Sequence, residues 1–236
     1  MVLLGTIVNS VLIIAGSFLG RILYKIPEKI KDTVMSGIGL AVIVMGLQMG
    51  FASENFLIVI LSIVFGAIIG ELIRLDDGLN NLGLWLEKKV GSKSQGSGSI
   101  SQGFVSATLI FLIGAMAILG ALDSGIRGNH DILYTKGILD GFTALILTTT
   151  LGLGVLFSAI PVFLYQGLIA LFATKINQMV PGPLMDQFIT EMTATGGVMI
   201  LAIGLNVLGL TKIRVANLLP GILVTAIIVT FLYYVG

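Results

Sequence analysis

Apolar residues run along this chain in long blocks, broken by short polar segments. Eight blocks stand out, near residues 3–20, 33–50, 55–73, 101–122, 137–158, 161–175, 187–209 and 217–235. A helix crosses the hydrocarbon of a bilayer in about 20 apolar residues, so the pattern predicts about eight transmembrane helices. The sixth block is short, and Pro161 crowds it against the fifth. The expected fold class is an all-α polytopic membrane protein. It forms a single transmembrane domain over 1–236, with a first half over 1–122 and a second half over 123–236.

One polar-rich stretch keeps a helical period. "LDDGLNNLGLWLEKKV" spaces Leu75, Leu79, Leu82, Leu86 and Val90 along one face, with Trp85 beside them and charges opposite. This predicts an amphipathic helix over 75–90 lying on the cytoplasmic membrane surface. The Gly/Ser-rich residues 91–100 that follow read as a flexible linker. Pro27 suits the first turn of the second span.

Composition supports the bilayer reading. The chain is 56% hydrophobic and 11% charged, against about 25% charged for a soluble domain. With so little polar surface, lipid must cover the exterior. The formal net charge of +1 gives no reason to expect a nucleic-acid partner. With no cysteine there is no disulfide, thiolate metal site or thiol nucleophile. The first apolar run has no Lys or Arg before it and no small-residue cleavage site after it, so it reads as the first span and not as a removable signal.

Basic residues orient the helices. With the N-terminus outside, inner loops hold Arg21, Lys25, Lys29, Lys31, Arg74, Lys88, Lys89, Lys93, Lys212 and Arg214, and outer loops hold only Arg127, Lys136 and Lys175. That asymmetry fits the positive-inside rule and places both termini extracytoplasmically.

Two internal matches suggest an inverted repeat. "SGIGLAVIVMGLQ" (36–48) matches "ATGGVMILAIGLN" (194–206), with Gly39 against Gly197 and Gly46 against Gly204. "GFVSATLIFLIG" (103–114) matches "GFTALILTTTLG" (141–152). Each match lies on a pair of antiparallel spans. The expected units are spans 1–3 plus 4 against spans 6–8 plus 5, a recurring design of secondary transporters.

Glycine weakens a helix, and backbone freed at membrane depth needs protein or water partners. Breaks in spans two and seven would therefore make a polar site lined by Ser36, Gly37, Gly39, Thr193, Thr195, Gly196 and Gly197. Close helix packing is the competing use of such small residues. Glu191, at the outer end of span seven, is a charge partner or proton carrier candidate because a carboxylate at membrane depth is costly. Asn9 in span one is the amide best suited to a cavity, whereas Gln48, Gln166 and Asn206 read as structural. Lys136 and Asp140, at i,i+4 spacing, form a secondary polar cluster, and Glu71 with Arg74 reads as an interfacial pair.

Asp123, Ser124, His130 and Asp131 share one short loop. No strained-turn motif surrounds Ser124, and a single histidine with nearby carboxylates is no metal-ligand set. No P-loop or dinucleotide fingerprint is present. The sequence predicts no enzyme, no metal and no cofactor.

"GFVSATLIFLIGAMAILGALDSGIRGNHDILYTKGILDG", with "GTIVN", "LGLGVLFSAI" and "EMTATGGVMILAIGLN", resembles an uncharacterised bacterial inner-membrane family, YqgA-like or YdfK-like, treated as a domain of unknown function. The resemblance covers essentially the whole chain and implies a multi-pass plasma-membrane protein. It brings no substrate, cofactor or catalytic residue with it.

The leading expectation is a secondary transporter or channel-like carrier for a small solute or ion. The alternative is a non-transporting membrane scaffold or signalling subunit that uses helix 75–90. The lipid bilayer is the expected partner, and small-xxx-small surfaces allow a homodimer.

Overall fold

The computed structural model describes residues 1–22, 28–90 and 100–235. Most of the expected linker and the position of Pro27 lie outside the described residues. Among the described residues the regular structure is entirely helical. In chain order the helices are α1 (Leu4–Ile22), α2 (Glu28–Gly50), α3 (Phe56–Ile73), α4 (Leu75–Val90), α5 (Ile100–Leu112), α6 (Ala115–Ile126), α7 (Asp131–Leu151), α8 (Gly154–Phe157), α9 (Ala159–Met179), α10 (Gly182–Val207) and α11 (Pro220–Val235), with a 3-10 turn at Val215–Leu218 before the last. The amphipathic stretch forms α4 over the residues that its leucine period marks. Leu82, Leu84 and Trp85 stay about half exposed along it.

Among the described residues six runs are long and apolar enough to cross a bilayer: Leu4–Ile22, Asp32–Gly50, Phe56–Ile73, Gly154–Met179, Gly182–Val207 and Val215–Val235. A seventh forms if α5 and α6, bent by 62° at their junction, count as one crossing. Eight spans are therefore not established. The block at 137–158 does not form one apolar rod, because Gly152 ends α7 with φ 78°. The remainder, α8, runs on toward α9. α7 itself carries Lys136, Asp140 and the Thr148–Thr150 triplet, all buried.

The chain divides into two compact units that do not follow its halves. The first comprises Met1–Met35, Leu79–Leu112 and Met116–Ile176; the second comprises Ser36–Gly78, Ile113–Ala115 and Asn177–Gly236. In the first unit α1 and α7 run parallel through a glycine seam. Side chains at Gly16 and Gly20 would run into the carbonyl oxygens of Gly141 and Leu145. This close approach of backbones is how membrane helices gain van der Waals contact without a hydrophobic driving force. In the second unit α3 packs antiparallel on α11, where Gly70 and Gly66 admit the backbone of Asn217 and Gly221.

The expected breaks in spans two and seven do not occur. α2 and α10 are continuous over 23 and 26 residues. Their glycines serve packing instead. A Cβ on Gly197 would lie 2.7 Å from the Gly46 oxygen, one on Gly46 2.7 Å from the Gly197 oxygen, and one on Gly204 3.0 Å from the Gly39 oxygen. Gly196, one position round the helix, makes room for Ile113. The Gly-Gly pair thus lets α10 accept two neighbours on adjoining faces.

The breaks fall elsewhere, at Gly114 (φ 133°) between α5 and α6 and at Gly152 between α7 and α8. Only glycine adopts such backbone freely. These two glycines close the matched stretches 103–114 and 141–152.

Candidate functional site

The first unit holds a polar cluster inside apolar helices. α1 is inverted in its amphipathicity. Its buried face is Gly5, Thr6, Asn9, Ser10, Ile13, Gly16, Ser17 and Gly20, and its large side chains Val11, Phe18 and Leu19 point outward, each more than half exposed. Asn9 Nδ2 donates to Gln166 Oε1 on α9 at 3.1 Å. The Asn9 side chain lies near the carboxylate of Asp140, which forms a buried ion pair with Lys136 one turn away on α7. Gly137, between them, brings α7 against the Asn9 backbone; a Cβ there would lie 3.0 Å from the Asn9 Cα.

Several buried polar atoms of this unit have no protein partner: Thr6 Oγ1, Asn9 Oδ1, Ser10 Oγ, Ser17 Oγ, Thr108 Oγ1, Thr148 Oγ1 and Gln166 Nε2. Helical hydroxyls usually bond back to a carbonyl one turn earlier. Thr149 and Thr150 do so, at 2.7 Å to Ile146 and 2.9 Å to Leu147, but their neighbour Thr148 does not.

In the second unit Glu191, 1% exposed, serves the start of α3. Its carboxylate accepts from Ser53 Oγ at 2.6 Å and from the backbone N–H groups of Glu54 and Asn55 at 3.0 Å each. An anionic acceptor there satisfies orphan amides and complements the helix dipole. Thr195 Oγ1 meets Thr225 Oγ1 of α11 at 3.2 Å. Thr193 Oγ1 is buried and has no partner.

The expected site residues therefore separate. Ser36 and Gly37 are exposed near the start of the helical α2, and Gly39 faces Gly204 and Leu208. Thr195, Gly196 and Gly197 sit toward the other end of this antiparallel pair. Positions that match in an inverted repeat need not touch; Gly39 matches Gly197 but packs on Gly204. Asn9 joins the Lys136–Asp140 cluster, together with Gln166, while Thr6, Ser10 and Ser17 continue the same buried face of α1. The helical spacing of Thr6, Asn9/Ser10 and Ser17 in the sequence carried that signal. Glu71 pairs with Arg214 at 3.1 Å and not with Arg74, which takes the left-handed cap position after α3.

Ser124 and His130 do approach, with Oγ and Nδ1 2.8 Å apart. The Ser124 hydroxyl, however, also reaches the Val2 carbonyl oxygen at 2.7 Å. A carbonyl can only accept, so the one hydroxyl proton goes there, and His130 Nδ1 carries a proton toward Ser124. This is the reverse of a nucleophile with its general base.

Long apolar helices around buried charge define the class: a multi-pass α-helical membrane protein. The chain belongs to the family described as "Protein of unknown function (DUF554)", whose model matches residues 4–230. It is similar to the uncharacterized membrane protein YdfK of Bacillus subtilis (strain 168), 34% identical with 98% of each chain covered. It is also similar to the uncharacterized protein YqgA of Escherichia coli (strain K12), 30% identical with 93% of each covered. No solved structure matches the chain.

Proposed function

We propose that this protein carries a small solute or ion across the bacterial plasma membrane, with the solute handled in the polar interior of the first unit by Asn9, Lys136, Asp140 and Gln166. One observation carries this reading: a charged pair and unpartnered polar atoms lie buried on one seam of apolar helices. Intramembrane charge is expensive and tends to be kept for ion or solute pathways. The glycine-ended helices α5 and α7 add support, since discontinuous helices recur in carriers. The reciprocal contacts Gly39–Gly204 and Gly46–Gly197 also favour the inverted repeat, because a two-fold axis pairs residues in this crossed way. By the positive-inside rule both termini lie outside. In this reading the protein is not an enzyme.

The full chain is to be reconstituted in vesicles and tested for flux against a panel of ions and small polar solutes. The wild type should move at least one of them, and Asp140→Asn should abolish that movement. Unchanged flux in Asp140→Asn would overturn the site, and no flux of any kind would overturn the carrier. The half-exposed Leu82, Leu84 and Trp85 on α4 favour a second reading, a scaffold that docks a partner there. Loss of partner recruitment on deleting residues 76–98, with no flux in the wild type, would support it.

A further inference from the structure

Resting on the carrier reading, we infer that the first unit passes uncharged, hydrogen-bonding solutes of the urea or polyol class, along α1, and that Ile13 closes the path. The unpartnered atoms are not scattered. Thr6, Asn9, Ser10 and Ser17 share the buried face of α1. At about 1.5 Å per residue they span roughly 16 Å, half the thickness of the hydrocarbon. Thr148 of α7 extends the row, its Cβ lying 2.9 Å from where a side chain at Gly20 would begin. Gln166 Nε2 offers donors, Asn9 Oδ1 an acceptor, and the hydroxyls both. A solute that donates and accepts can exchange its water for these groups in sequence.

The charge balance selects against ions. Among the described residues Lys136 and Asp140 are the buried charges of this unit, and they cancel. An ion entering beside a neutral pair would lose hydration worth several kcal/mol with no opposite charge free to replace it. A neutral solute incurs no such cost. Ile13, fully buried, stands between Ser10 and Ser17 on the same face. An apolar collar in a polar path is a recognised way to gate by excluding water.

The test uses the full chain in phosphatidylcholine–phosphatidylglycerol vesicles. Urea and glycerol entry are read by stopped-flow light scattering, and sodium and chloride entry by ion-sensitive dyes. Wild type should pass urea or glycerol faster than protein-free vesicles do, with sodium and chloride at background. Gln166→Leu and Ser17→Ala should each lower solute entry, and Ile13→Ala should raise it several-fold. Melting in detergent identifies any variant that fails to fold, and the milder Ser17→Ala then decides. Sodium or chloride flux above that of urea and glycerol would overturn the inference yet leave the carrier reading standing. So would solute entry that is indifferent to both polar substitutions. Absence of flux for all four probes would overturn the inference, and the carrier reading falls with it when the wider solute panel is silent too.

Discussion

The two units differ in how many buried polar groups they leave without a protein partner. In the second, most are saturated by protein, Ser62 Oγ and Thr193 Oγ1 excepted. Glu191 accepts three hydrogen bonds. Asn217 accepts from the Asp76 amide at 2.7 Å, Thr195 meets Thr225, and the half-buried Asn206 ties the segment after α10 through Thr211 and Ile213. In the first unit, hydroxyls and amide atoms on α1, α5, α7 and α9 are buried with no protein partner. Saturated groups fix a structure. Unsaturated ones are tolerated at depth only where something else can satisfy them. The difference separates a frame from a candidate pathway more sharply than any single residue does.

Substitutions can break this contrast. The largest effect should follow Glu191→Ala, which strands one hydroxyl and two backbone donors at the start of α3. A loss of about 3–5 kcal/mol is expected, read as a fall in unfolding midpoint in detergent, with Glu191→Gln falling in between. An unaffected midpoint would mean that the cap is not formed. Next come Gly46→Ala and Gly197→Ala. Each forces a methyl to within 2.7 Å of the other's carbonyl oxygen, at a cost of about 1–3 kcal/mol. Near-equal losses are expected from this reciprocal contact, and markedly unequal ones would argue against a two-fold relation. The smallest pair sharpens the comparison most. Thr195→Val should lose about 0.6–1 kcal/mol with its interhelical bond. Ser17→Ala has no protein bond to lose and adds no volume at this buried site, so it should leave stability within about 0.5 kcal/mol and its consequence should appear in flux alone.

Much of the architecture was legible in the sequence. Apolar blocks marked most of the crossings, and the leucine period marked α4. The kinks were not legible in the same way, because glycine serves close packing and helix breaking alike. Gly196–Gly197 and Gly114 look similar as letters. They differ only in what packs against them: the α2 backbone and Ile113 fill the space beside the pair, while Gly114 has only Met49 nearby, at 3.9 Å. Asn9, Lys136 and Asp140 were legible as polar groups in apolar surroundings. Their meeting was not, because a parallel pairing of α1 with α7 is a tertiary fact that periodicity does not encode. The role of Glu191 was hidden for the same reason, since its partners Ser53–Asn55 lie 136–138 residues away.

The inverted amphipathicity of α1 has a consequence for biosynthesis. Its partner surface around Gly141 emerges roughly 125 residues after Gly16. At about 5–20 residues per second that is a delay of roughly 6–25 s. Through that interval Thr6, Asn9, Ser10 and Ser17 have no α7 to shelter against. They must wait in the insertion machinery, at the headgroup boundary, or against another newly made helix. Mutations that loosen the α1–α7 seam should therefore reduce the yield of inserted protein before they change the properties of the molecules that mature.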